Sequence, residues 1–454
     1  MATGDVYTHD DTGPAWGATA DVIGANGPVL TDQSGAPAWT TASAAQGGSY
    51  DVLTWVADEA LSSDRPGWAG LPASLVCLTT APTIRLVAGG INPPPNIQAD
   101  GPLGTNTVFD MYQMCWGPDG LIYLAGVGDD NGLFVRTFDP TTGIVTTLPF
   151  HSTFGDRGAM LGIAASAAGN IYFIVNSTDD SNTTYLCKVA AGSVDQSGVS
   201  ELHFFSEFFG SASAFQNLGV VTNPDGKEFV LLAHVTFKEV MYFDVTAGTL
   251  HQYIMGKEGA DGLSPTNPDM GEHVAGPDGL LGEQLRGMVT TPGGEVVTGS
   301  YGNQVMRAAT LTFVDDGAGG TVPQANDLHS ITNHTLNTSS AGNGGDGEAA
   351  YTEGNHDPQF NGVSAVGLDG CGNYYACDFN NNSVRMIDAA GILHTIAGNG
   401  LSAFDPDATF PTTTPTLATT LTMGINASVG GALLPDPAGG LYLAMGNGIY
   451  KLEG

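Results

Sequence analysis

Apolar residues in this chain come in short runs broken by Gly, Asn and Asp, and the pattern repeats. It is clearest from Ala341 to Gly400, a stretch that opens and closes on the same Ala-Gly-Asn-Gly word. Between those words lie the runs 363–368, 374–379, 384–388 and 392–397. Each is of strand length and each break carries turn-forming residues, so the unit reads as a four-stranded antiparallel meander. The repeated word marks it as one unit of a series, not a domain of its own.

The series is traced by its second strand, an apolar run just after a Pro-Asp-Gly or Ala-Gly-Asn type turn. Such runs fall at 121–127, 171–175, 229–234, 296–301, 374–379 and 441–445, which predicts six blades. The glycines ahead of them (Gly120, Gly169, Gly226, Gly294, Gly372, Gly440) lie roughly 50 to 80 residues apart, against about 40 to 50 for a compact blade, so the excess falls in loops. Third strands are expected at 133–139, 185–190, 240–245, 304–311, 384–388 and 449–452. Fourth strands are expected at 144–149, 199–205, 249–255, 327–332 and 392–397. The last blade lacks one, and the spare copy stands in front: TIRLVAG at 83–89 mirrors LHTIAG at 393–398. Pairing that strand with the last blade closes a ring with no open edge. The runs are apolar at both parities because each blade is sandwiched between two neighbours.

In the clearest unit a glycine-rich loop precedes the strand pair DGCGNYYACD, then NNSVRMID and a closing TIAG. This order resembles an NHL-type β-propeller blade. The resemblance implies an all-β fold, a six-bladed β-propeller of four-stranded antiparallel blades over about residues 83–454. It also brings in enzymes, since the NHL type includes amidating lyases and related six-bladed folds house sugar-lactone hydrolases. Those use a metal cluster in the channel, and no residue of this sequence is matched to such a ligand.

Lys and Arg number 12 against 46 Asp and Glu, a balance that repels nucleic acid and anionic membranes. No stretch approaches the roughly 18 to 20 apolar residues of a membrane helix. The start, MATGDVYTHDDTG, has neither a basic head nor an apolar core, so no secretory signal is expected. The five cysteines show no C-x-x-C spacing. Cys371 and Cys377 flank one strand and could meet across a turn, but the preferred expectation is two reduced, buried thiols.

Residues 1–80 read as a separate module. Four of the five tryptophans (Trp16, Trp39, Trp55, Trp68) fall there, with no Lys or Arg before Arg65, and a short helix is expected at 51–61. The tryptophans are taken as anchoring residues that tie the chain to its own oligomer or to a larger assembly through a basic patch on the partner. A small cap packed on the propeller is the alternative.

Four Leu-His pairs, ending in His203, His251, His329 and His394, recur in the fourth strand and are read as edge polarity, not as ligands. His151, His234, His273, His334 and His356 fall at or near loops without zinc-type spacing. The loops at 129–131, 179–182 and 343–348 carry oxygen ligands of the kind calcium accepts, though none has the EF-hand order. No catalytic residue, no metal ligand and no cofactor other than this calcium option is assigned. The long loops (90–108, 150–159, 256–283, 333–361, 399–426) all emerge on one face, where a rigid ring presents them. The expected ligand site lies there, in Asn343, Asp346, Glu348, Tyr351, Asn355 and His356. The functional expectation is a non-catalytic recognition or structural protein on the outside of an assembly: a phage-like virion component (tail fibre, spike or head decoration), homo-oligomeric, that binds a host glycan or protein. The alternative is an extracellular propeller enzyme of metal-dependent lyase or lactonase type.

Overall fold

The computed structural model describes residues 77–454 apart from 90–98, 109–110, 127–134, 149–158, 177–183, 194–197, 206–214, 236, 257–270, 283, 292–293, 318, 335–343, 353–354, 356–358, 402–413, 424–431 and 447. Trp16, Trp39, Trp55, Trp68 and the helix expected at 51–61 lie outside the described residues.

Strand β1 (Thr83–Gly89) comes first in the chain. Blade 1 is β2 (Met111–Trp116), β3 (Ile122–Gly126), β4 (Arg136–Asp139) and β5 (Ile144–Thr147). Blade 2 is β6 (Ala159–Ala165), β7 (Ile171–Asn176), β8 (Thr184–Val189) and β9 (Val199–Phe205). Blade 3 is β10 (Phe215–Thr222), β11 (Glu228–His234), β12 (Glu239–Asp244) and β13 (Thr249–Met255). Blade 4 is β14 (Leu285–Thr290), β15 (Glu295–Ser300), β16 (Val305–Asp315) and β17 (Thr321–Ser330). Blade 5 is β18 (Val363–Leu368), β19 (Tyr374–Asp378), β20 (Ser383–Ile387) and β21 (Leu393–Ala397). A short β22 (Thr416–Leu417) then leads to β23 (Ala432–Asp436), β24 (Gly440–Met445) and β25 (Gly448–Glu453) of blade 6.

The first strands of the blades contact one another in cyclic order, so the six sheets form a closed six-bladed propeller. Closure follows the expected route. β1 pairs antiparallel with β25, from Thr83 opposite Glu453 to Gly89 opposite Gly448, and becomes the fourth strand of blade 6. β22 adds a fifth strand outside β1, with Thr83 opposite Leu417.

The core is a set of clusters between adjacent blades. Along β7, Tyr172 and Ile174 pack toward blade 3, while Ile171, Phe173 and Val175 pack toward blade 1. Both parities are therefore apolar, and a fully buried aliphatic side chain in such a layer contributes about 1.5–3 kcal/mol. The inner strands approach closely, and a Cβ at Gly287 would stand 3.0 Å from the backbone nitrogen of Val366 in the next blade.

Two expectations are corrected. The fourth strand of blade 4 was placed at 327–332; it runs over Thr321–Ser330 and pairs with β16 out to Asp315 opposite Thr321. Pro323 and the glycine-rich turn hide that extension in the sequence. Contacts with blade 3 support it: Asn223 Nδ2 donates to Thr321 Oγ1 at 2.8 Å, and the Phe229 and Phe313 rings lie 6.1 Å apart. Second, Cys371 is not a free thiol. It forms a disulfide with Cys77, 294 residues away, while Cys377 stays reduced and buried. The bridge links the segment that leads into β1 to the β18–β19 turn, so hydrogen bonds and a covalent bond both hold the closing segment. Bridges of this kind contribute about 2–4 kcal/mol.

Candidate ligand site at the channel mouth

The long loops that lead into blades 1, 4 and 5 do not simply hang over the face. Each first touches the outer strand of its own blade, through the bridges Gly101 to Val145, Val274 to Leu328 and Ala349 to Ile392. Each then crosses inward to the first strand. A buried arginine on the third strand holds the crossing in place. Arg385 donates to the Gly344 carbonyl at 2.7 Å and to Asp346 Oδ1 at 2.9 Å, and Thr395 Oγ1 donates to the same carboxylate oxygen at 2.9 Å. In blade 1 the same parts are Arg136, the Ala99 carbonyl, Asp100 and Thr147. In blade 4 they are Arg307, the Gly271 carbonyl, Glu272 and Ser330. Arg136 stands three residues before the end of its third strand and Arg385 two; Leu186, Met241 and Tyr450 stand three residues before the end of the third strand in blades 2, 3 and 6.

This arrangement locates the expected site residues. Asn343 and His356 lie outside the described residues. Asp346 and Glu348 sit at the rim of blade 5: Glu348 is exposed, with its carbonyl accepting from Leu393 N at 2.9 Å. Tyr351 and Asn355 follow in the crossing segment, half-buried. The Arg385 guanidinium pairs with Asp346 Oδ1 at 2.9 Å. The oxygen-rich loops at 129–131 and 179–182 lie outside the described residues.

Toward the axis, on the same face, is a group that the sequence reading did not single out. β14 begins with Leu285, Arg286 and Gly287, and a bulge leaves Arg286 out of the ladder: Leu285 faces Ser300, and Gly287 faces Gly299. A bulge re-aims the extra side chain at a strand end. The Arg286 guanidinium stands over the Tyr301 ring, 4.2 Å from its centre. Among the described residues its one hydrogen bond, to Gln284 Oε1, is long at 3.5 Å, and its Nε is buried without a partner. Asn380 Nδ2 donates to Tyr301 Oη at 3.1 Å and to Asn361 Oδ1 at 2.9 Å, which fixes the ring and leaves the phenol hydrogen to donate elsewhere. Beneath them, Asp378 accepts from Asn361 N at 2.7 Å, and burial pushes its carboxyl up to about 6.

Among the described residues, Arg85, Arg136, Arg307 and Arg385 each meet a carboxylate, and Arg286 meets none. Burial holds His234, at the end of β11, neutral by pulling it down to about 4. On the far side of the channel Gln113 ties blades 1, 2 and 3 together: its Oε1 accepts from Ile163 N at 3.0 Å and Leu218 N at 2.8 Å, and its Nε2 donates to Leu218 O at 2.7 Å. The mouth thus pairs a rigid wall with a stacked guanidinium, a phenol and two amides. That chemistry suits an anionic, hydroxyl-rich ligand. A search for Lys or Arg on the first strands would have found Arg286, the one base among those six strands.

No family model and no curated protein matches the sequence. Solved structures do match the fold. A structural-genomics protein of unknown function from Bacteroides thetaiotaomicron is 15% identical, with 82% of this chain and 76% of that chain covered and a TM-score of 0.52. An auxiliary nutrient binding protein from the same organism is 14% identical over the same shares, with a TM-score of 0.51. A gluconolactonase from Xanthomonas campestris is 13% identical, covering 84% of this chain and 97% of that one, with a TM-score of 0.40. At these identities what the two Bacteroides structures share with this chain is the fold alone.

Proposed function

We propose that this is a non-catalytic recognition protein displayed outside a cell, and that its propeller binds an acidic glycan at the channel mouth. The observation that carries the reading is Arg286, stacked on Tyr301 and, among the described residues, without a carboxylate partner in an acid-rich chain. A sugar carboxylate or sulfate ester pairs with the guanidinium, and the ring hydroxyls bond to Tyr301, Asn380 and Gln284. A charge-assisted hydrogen bond of this kind contributes about 1.5–3 kcal/mol. The Cys77–Cys371 disulfide favours an oxidising compartment. Nutrient binding, the role named for one structural neighbour, is compatible with this chemistry.

Display on a virion, as a tail fibre, spike or head decoration, is the narrower form of this proposal, with residues 1–80 as the anchor and a homo-oligomer as the assembled unit. If particles form in a reducing cytoplasm, the disulfide has to close after release. Locating the protein on purified particles tests that form, and a chain beginning at Val76, which keeps Cys77, tests the anchor by its assembly state.

The glycan reading is tested by calorimetric titration of the full chain with oligogalacturonate and sulfated oligosaccharides, with neutral oligosaccharides of the same length as controls. Acidic sugars should bind and R286A should lose that binding. Equal binding of neutral sugars, or full retention in R286A, would overturn it.

A further inference from the structure

The outer edge of blade 4 carries a cluster that the proposed glycan site does not use. The bridge between Val274 and Leu328, with Leu328 N donating to Val274 O at 2.8 Å, runs antiparallel and so sets His273 opposite His329. Their rings stack at 5.4 Å with only 13° between planes. Asp327 lies at a bulge, where the β16–β17 register shifts between Ala308 and Thr310. Its Oδ1 is 2.7 Å from His273 Nδ1, and its Oδ2 is 3.8 Å from His329 Nδ1. One ligand atom from each of the three residues lies within 4.8 Å of the others.

We propose that His273, Asp327 and His329 form a binding site for a zinc-class divalent cation on the outer rim of blade 4. Two imidazoles and one carboxylate are a borderline donor set, which favours zinc over calcium or magnesium. A tetrahedral zinc with bonds of about 2.0–2.1 Å needs ligand atoms about 3.3 Å apart. The ligand atoms, within 4.8 Å of one another, have to draw closer to reach that spacing. The residues are open to such movement: the side chains of His273 and Asp327 are 71% and 55% exposed. On binding, the cation takes the place of the hydrogen between His273 Nδ1 and Asp327 Oδ1, and the neutral ring carries its one N–H on Nε2. His329 gives up its 2.7 Å hydrogen bond to the Asp327 carbonyl. Water fills the remaining position.

The backbone is committed to this arrangement. His273 and Asp327 both have positive φ, 56° and 53°, a conformation that side chains other than glycine adopt at a cost. The other rim histidines have different neighbours. His203 packs edge-on against Phe205, His251 stacks on Tyr242, and His394 pairs with Asp388 at 2.8 Å. The sequence reading treated His329 like these three. Only at blade 4, among the described residues, do two imidazoles and a carboxylate meet.

The test is equilibrium dialysis and calorimetry of the chelator-stripped full chain with zinc chloride. One zinc per chain should bind, with affinity falling at least tenfold in each of H273Q, D327N and H329Q and unchanged in H203Q and H394Q. Binding should weaken as pH falls, because protons compete for the imidazoles. Unfolding midpoints in chelator should match the wild type, since these side chains lie at the surface. No retained zinc, wild-type affinity in H273Q or H329Q, or displacement by millimolar calcium would each overturn the assignment.

Discussion

Arg385 and Arg286 lie on neighbouring blades and face opposite demands. Arg385 is almost fully buried between Asp378 at 3.3 Å and Asp346 at 2.9 Å, and also bonds the Gln359 and Gly344 carbonyls. Arg286 lies half-buried on an aromatic face with, among the described residues, one long hydrogen bond and no acid. The first spends its charge inside the chain to hold a loop against its blade; the second leaves its charge available at the channel mouth. With 46 acids against 12 bases, carboxylates are easily found near any base, so an arginine kept from them stands out. Charge abundance therefore says little about where an acidic protein binds; the pairing pattern of its few bases says more.

The difference is sharpest in R385A. Removing the guanidinium leaves Asp378 buried without its cation, and such a loss costs about 3–5 kcal/mol. Urea unfolding should show it, while acidic-glycan affinity changes far less than stability. R286A should do the reverse, weakening acidic-glycan binding about 10- to 100-fold, the equivalent of the 1.5–3 kcal/mol contact, with stability within about 0.5 kcal/mol of wild type. If both variants lost stability alike, Arg286 would be a second structural latch and the contrast would fail.

A pH series probes the buried half of the comparison. The Asp378 carboxyl is raised by burial to about 6 from an ordinary 3.8. The folded chain takes up this proton as pH falls through about 6, before the unfolded chain does. This contribution to stability is therefore fully present below 3.8 and is lost as pH rises through about 6. D378N should flatten that part of the stability curve. A wild-type contribution that instead fell on acidification would show that the ion pair with Arg385 outweighs burial. The smallest effect belongs to D346N. Its exposed carboxylate touches Arg385 from the solvent side, where an ion pair contributes about 0–1 kcal/mol, so melting should shift slightly and glycan titration not at all. A large loss of glycan binding in D346N would return the rim loop to the ligand site.

Much of the fold was legible because strand pairing between chain neighbours depends on local pattern. Gly120, Gly169, Gly226 and Gly372 all have positive φ at the turns where they punctuate the runs, and the spare TIRLVAG strand pairs with β25 as its likeness to LHTIAG implies. Asp346 was legible as a loop carboxylate but not as a partner of Arg385, 39 positions away. Arg286 carried no local motif, since a bulge in β14 and the ring of Tyr301 give it its role.

Strand number, blade order and ring closure thus followed from hydrophobic runs and turn glycines, which act over a few residues at a time. The Cys77–Cys371 bond, the split between the two arginines and the meeting of His273 with Asp327 join positions 294, 39 and 54 residues apart, or depend on a charge left without such a partner. No short-range pattern encodes a meeting of that kind. It depends on which loops the closed ring brings back onto which blade, and on how little room the packed sheets leave between them.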